Sequence, residues 1–79
     1  MYKGNQSHTK IEIIIYMVNL LLLDRRLEPI YIMNKFNITR HTLIRYIATI
    51  KNSFADFGLY HIEIYYDYKY CLYRCIVNE

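Results

Sequence analysis

The residues best suited to binding an anionic partner are concentrated in the middle of this chain of 79 residues. Residues 29–55 contain four cations and no acidic residue, although the whole chain has a net charge of only +3. The four are Lys35, Arg40, Arg45 and Lys51. Because a planar guanidinium fits both phosphate oxygens and the edge of a guanine base, the two arginines favour a nucleic-acid partner.

Catalytic and metal-binding residues do not form a recognisable set. His61, Cys71 and Cys75 are potential zinc ligands, but they lack a fourth member and a CxxC pair. The seven acidic residues show no pairing for acid–base catalysis, and no glycine-rich loop is present to hold a phosphate. We therefore expect a protein that is not an enzyme, with no metal and no cofactor.

The two cysteines and the apolar segments bear on the cellular setting. Cys71 and Cys75 are predicted on one face of a strand, about 13 Å apart and too far to form a disulfide with each other. The apolar run of residues 13–23 is about half as long as a membrane span, and no signal peptide is evident. These features favour a reduced, cytoplasmic setting, and the abundance of Ile, Tyr, Asn and Lys is typical of a low-GC genome or its mobile elements.

A first helix is predicted after a short polar tail of residues 1–8. Thr9 and Glu12 have the spacing of a capping box, so the helix should begin there and end near Asp24. At 100° per residue its apolar side chains form two faces. One face is Ile11, Ile14, Ile15, Val18 and Leu22, and the other is Ile13, Met17 and Leu20. The second face is predicted to join two copies of the chain in a homodimer.

Two more helices are predicted with a sharp turn between them. Pro29 suits the first turn of a short helix over residues 29–36. Asn37 tolerates the left-handed backbone that ends this helix, and Thr39 then caps a third helix with its hydroxyl. Gly58 is predicted to close the third helix.

The last twenty residues change from a helical period to the alternation of a strand. Residues 60–66 and 70–77 form two predicted strands, joined by residues 67–69 as an antiparallel hairpin. The fold class is therefore α+β: residues 9–79 form one domain with a three-helix, helix-turn-helix core and a C-terminal β-hairpin.

The segment from Asn37 to Ile47 resembles the helix-turn-helix of the DeoR-like bacterial and phage regulators, which are winged-helix proteins. Thr39 matches their capping serine, and Thr42 and Arg45 match further residues of the segment. Met33 and Tyr46 depart from the family pattern, which has a small residue and an acidic residue at these positions. The resemblance implies binding to double-stranded DNA, with the third helix in the major groove.

The predicted DNA contacts lie at the start of the third helix and at the hairpin tip. They are Thr39, Arg40, His41, Thr42, Arg45, Tyr46 and Lys69. Each has an alternative interpretation. The arginines, His41 and Thr42 can be ordinary solvated helix residues, and Tyr46 can cover the core. Asp67 opposes a phosphate contact at the tip, where Lys69 is the better candidate.

We expect a small transcriptional regulator that binds specific DNA sequences as a homodimer. A plasmid partition or phage control factor would use the same DNA-binding surface. The alternative from another class is a protein-interaction module that keeps the winged-helix core and binds a protein partner through the first helix and the hairpin.

Overall fold

The structure, a computed structural model, describes residues 8–78 as a small α+β domain with three helices and a three-stranded antiparallel sheet. In chain order the elements are α1 (Lys10–Leu23), β1 (Arg26–Leu27), α2 (Pro29–Phe36), α3 (Arg40–Asp56), β2 (Ile62–Asp67) and β3 (Leu72–Val77). Apart from His8, the predicted tail of residues 1–8 lies outside the described residues. None of the helices in the described range is long and apolar enough to cross a membrane.

The helix boundaries follow the capping signals in the sequence. The Thr9 hydroxyl accepts from the Glu12 amide at 3.2 Å, and the Glu12 carboxylate accepts from the Thr9 amide at 2.9 Å, so the predicted capping box is confirmed. Pro29 is the first residue of α2. After α3, Gly58 adopts a left-handed backbone with φ of 75°, as predicted for the residue that closes this helix.

The connection between α2 and α3 consists of three residues, Asn37 to Thr39. Asn37 has φ of 54° and ψ of 50°, which is the predicted left-handed conformation. The Ile38 amide donates to the Met33 carbonyl at 3.2 Å, and the Thr39 hydroxyl accepts from the Thr42 amide at 3.2 Å. The backbone groups at the end of one helix and the start of the next therefore have partners within the turn.

The sheet contains one strand more than the predicted hairpin. β1 pairs with β3 through Arg26 and Leu27, which gives the order β1-β3-β2. Arg25 turns the chain into β1 with φ of 63°, and its carbonyl accepts from the Cys75 amide at 2.9 Å. Two residues are too few to show strand alternation, so this strand leaves no periodic signal in the sequence.

The hairpin turn lies further along the chain than predicted. β2 and β3 pair until Asp67 lies opposite Leu72, so residues 68–71 form the turn. Cys71 is exposed in this turn with φ of 57°, whereas Cys75 is buried in β3. The prediction that both cysteines lie on one strand face is therefore wrong.

Helix α1 packs on the core through the face that was predicted to join two copies. Ile13 is 4% exposed and Met17 is fully buried, while Leu20 is half-buried against the same core. Side chains enclosed in this way cannot form a contact between folded copies, so the predicted interface is wrong for Ile13 and Met17. The core itself is formed by Ile13, Met17, Leu21, Leu27, Ile32, Leu43, Ile47, Ile50, Ile64 and Cys75.

The Thr39 cap gives a test of this local structure. Thr39→Ala removes the acceptor for the Thr42 amide and should lower the free energy of unfolding by about 1 kcal/mol. Thr49→Ala is the matched control, because the Thr49 hydroxyl only donates to the Arg45 carbonyl inside α3 and alanine favours a helix. Urea unfolding followed by circular dichroism measures both; equal losses would show that the cap has no special role.

Candidate nucleic-acid interface

The exposed face of α3 is the most complete cationic surface in the described chain. Leu43, Ile47 and Ile50 bury one side of this helix in the core. The exposed side carries Arg40, His41, Ile44, Arg45, Ala48, Thr49, Lys51, Asn52 and Ala55, and it ends at the exposed Asp56, the last residue of the helix. Before Asp56 this side has no acidic side chain, so its N-terminal part has the charge and hydrogen-bonding groups that suit a nucleic acid.

The charged groups of Arg40 and Arg45 are available for an external ligand. Two salt bridges are formed within residues 8–78, and neither includes these two arginines. By contrast, Arg26 binds Glu28 at 2.9 Å and Arg74 binds Asp67 at 2.7 Å. Arg40 and Arg45 are therefore exposed arginines without a salt bridge, on the part of α3 that precedes Asp56.

The first turn of α3 separates two roles among the predicted contacts. The Thr39 and Thr42 hydroxyls lie 3.1 Å apart and bond each other, and Thr42 is half-buried. His41 is exposed beside them. The two threonines hold the start of the helix in place, while His41 and Arg40 extend from it into solvent.

Tyr46 is placed by the structure mainly against the protein. Its ring is half-buried and packs on the core, and the Lys10 Nζ lies 5.7 Å from the ring centroid. This geometry favours the core-covering interpretation over a direct DNA contact. It also brings Lys10, which the sequence did not single out, from α1 to the side of α3.

The acidic residue at the hairpin tip is neutralised by its own neighbours. The Asp67 carboxylate accepts from Arg74 Nε at 2.7 Å, from the Lys69 amide at 3.0 Å and from the Tyr70 amide at 3.4 Å. The Arg74 hydrogen bond, followed by those of the two amides, holds the pKa of Asp67 below its ordinary value, with burial acting in the opposite direction. The carboxylate of Asp67 thus stays ionised, its charge is compensated by Arg74, and the exposed Lys69 has its Nζ 5.4 Å from the Tyr70 ring centroid.

A tyrosine cluster connects the hairpin with the start of α3. The Tyr66 ring packs edge-to-face against the Tyr68 and Tyr73 rings, with centroid distances of 4.8 and 4.9 Å. Burial raises the pKa of Tyr66 and of Tyr73, and the positive charge of Arg40 partly offsets both increases. Arg40 is therefore close enough to act electrostatically on Tyr66 and Tyr73 of the hairpin.

Sequence reasoning did not find the Asp67–Arg74 pair or the proximity of Arg40 to the tyrosines. The sequence did contain a signal for the pair, because Asp67 and Arg74 have opposite charges and lie on either side of the turn. Arg40 gave no such signal, because its position relative to the hairpin depends on how α3 packs on the sheet. Within residues 8–78, no three His, Cys, Asp or Glu side chains come together in a way that could hold a metal ion.

In comparisons with known proteins, no family model, curated protein or solved structure matches the chain. The DeoR-like resemblance of residues 37–47 therefore stays a prediction.

The Asp67–Arg74 pair predicts how stability depends on pH. A carboxyl whose pKa is lower in the folded state stabilises the fold above its unfolded pKa of about 3.9, and this contribution is lost as the pH falls through the folded value. The free energy of unfolding, measured in urea from about pH 6 to pH 2, should therefore fall less steeply below pH 4 in Asp67→Asn than in the wild type. Arg74→Gln should reduce the same slope, and an unchanged slope in both variants would contradict the assignment.

Proposed function

We propose that this protein binds double-stranded DNA as a winged-helix domain, with α3 as the recognition helix and the hairpin as the wing. The observation that carries the proposal is the exposed face of α3 between residues 40 and 52, which has no acidic side chain and on which Arg40 and Arg45 form no salt bridge within residues 8–78. The element order, with β1 between α1 and α2 and a sheet order of β1-β3-β2, is compatible with this fold.

The turn at Asn37 gives α3 an orientation suited to a groove. The major groove of B-DNA is about 12 Å wide and accepts a helix whose N-terminal residues face the base edges. The first turn of α3 carries Arg40 and His41 and is exposed at the protein surface. If this first turn enters the major groove, the backbone amides at the start of α3 and the positive end of the helix dipole lie near phosphates.

The residues of this surface have distinct roles in the proposed complex. Arg45, one turn further along α3, would read a guanine, and the exposed Arg40 and Lys69 would contact phosphates. Ile44 is 47% exposed between the arginines, and an apolar side chain there suits a thymine methyl group. Thr39 and Thr42 position the helix without a direct contact.

The proposed biological role is that of a transcriptional regulator. Plasmid partition and phage control factors would use the same surface, because each of these functions requires recognition of a DNA site.

Salt dependence tests whether phosphates are bound. If Arg40 and Lys69 each displace about one counterion, the affinity for duplex DNA should fall about 12-fold between 50 and 200 mM salt. Fluorescence anisotropy with a labelled duplex of mixed sequence measures this slope. An absence of detectable binding at low salt would overturn the proposal.

The role of Arg45 requires a bound sequence, which selection from random DNA would supply. Arg45→Ala should then weaken binding to the selected site by about 1–3 kcal/mol and weaken nonspecific binding less. Arg26→Ala is the matched control, because Arg26 is bound to Glu28 and lies on β1, away from the α3 surface. Equal losses on all sequences would reassign Arg45 to the phosphate backbone.

A protein-binding function is the second candidate, and a groove between α3 and β2 favours it. The groove has a volume of about 340 Å³, and its walls include Phe54, Leu59, Tyr60 and Ile62. Tyr60 is 75% exposed at its rim. If the chain fails to bind DNA at low salt, this groove becomes the leading candidate site.

A further inference from the structure

The side of α1 that faces away from the core carries a second apolar surface. We call it the outer seam and define it by Ile11, Ile15, Val18 and Leu22. Ile11 is 70% and Ile15 is 57% exposed, while Val18 and Leu22 are half-buried at the edge of the core. The successive spacings of four, three and four residues are those of the apolar positions in a coiled coil. A seam with this period fits another helix better than it fits a sheet or an irregular surface.

We propose that the outer seam binds the outer seam of a second copy of this chain, with the two α1 helices antiparallel. A two-fold axis between Ile15 and Val18 would place Ile11 of each copy beside Leu22 of the other. The seam spans about 16 Å at 1.5 Å per residue, so all four apolar positions would be covered at once. The interaction is isologous, and the same four residues serve both copies.

Charges at the two ends of the seam determine the antiparallel direction. Glu12 is next to Ile11 in the first turn of α1, where its Oε1 accepts from the Thr9 amide and Oε2 makes no hydrogen bond within residues 8–78. At the other end, Arg25 Nε donates to the Leu22 carbonyl at 3.0 Å, which keeps the guanidinium at the end of the seam. Antiparallel helices bring each Glu12 toward the Arg25 of the other copy, whereas parallel helices place like charges together.

The other charged residues at the ends of α1 are directed elsewhere. Lys10 extends toward α3, where its Nζ lies 5.7 Å from the Tyr46 ring centroid. Asp24 lines a groove together with Tyr16, Asn19, Leu20 and Leu23, on another side of the helix. The charge pattern along the outer seam is therefore set by Glu12 and Arg25.

This inference goes beyond the proposed function and does not rest on it, because the outer seam shares no residue with the α3 surface. A dimer of this kind would carry two copies of α3 and would leave both exposed. If DNA binding is also established, the dimer predicts a bound site with two inverted halves.

The mass of the full chain in solution tests the dimer. Sedimentation equilibrium should give twice the chain mass for the wild type, and Ile15→Glu should weaken the dimer at least about tenfold, because each copy then buries a carboxylate in the contact. Ile30→Glu is the matched control, because Ile30 is 63% exposed but lies on α2. The dissociation constant of the Ile30→Glu dimer should equal that of the wild type. Circular dichroism checks that both variants fold. A monomeric wild type, or an unchanged constant for Ile15→Glu, would overturn the proposal even if DNA binding persists.

Cross-linking tests the direction of the helices. In a Cys71→Ser background, the double variant Ile11→Cys, Leu22→Cys should form a covalent dimer under mild oxidation, because residues 11 and 22 face each other across antiparallel copies. The single variant Ile11→Cys should remain free of cross-links. Efficient cross-linking of the single variant would show parallel helices and overturn the proposed arrangement.

Discussion

The left-handed backbone at Asn37 is the constraint on which the candidate interface depends. Only three residues connect α2 to α3, so the direction of α3 is set by this one conformation and by the hydrogen bonds around it. Asparagine adopts φ of 54° at lower cost than most residues because its short polar side chain can bond locally. With α3 in this direction, Leu43, Ile47 and Ile50 enter the core and the arginines point outward. The surface chemistry of α3 is thus a consequence of how the turn is built.

The small size of the domain explains why α1 has an apolar surface on two sides. A chain of 79 residues buries only a modest fraction of its surface, and a single layer of strands with two other helices covers one side of α1. Ile11 and Ile15 are left in solvent on one side of α1, and neighbouring exposed apolar side chains of this kind are a feature of interaction surfaces. A second copy of the same helix would cover them without adding any residue to the chain.

The sequence allowed the helices to be predicted closely because their ends are fixed by neighbouring residues. Thr9 with Glu12, Pro29, Asn37 and Thr39 all act over three or four positions, and the structure uses each as expected. Features set by distant contacts were missed. β1 exists because β3 pairs with it, and the Asp67–Arg74 bond forms across the hairpin.

The inward face of α1 was misassigned for a related reason. Both apolar faces have helical spacing, so periodicity alone cannot decide which one the core selects. Of the predicted DNA contacts, Arg40, His41 and Arg45 are exposed in the structure, whereas Thr42 bonds Thr39 and Tyr46 packs on the core, a position that the sequence had left as an alternative.

The three hydrogen bonds to the Asp67 carboxylate have a consequence for the kinetics of the proposed DNA binding. They join the turn of the hairpin to β3 through Arg74 and fix the backbone of Lys69 and Tyr70 before any ligand arrives. A loop that is already ordered loses little conformational entropy when it docks, so more of its contact energy remains as affinity. The rate of encounter is then governed by diffusion and by the field of the exposed cations, with no slow folding step at the tip.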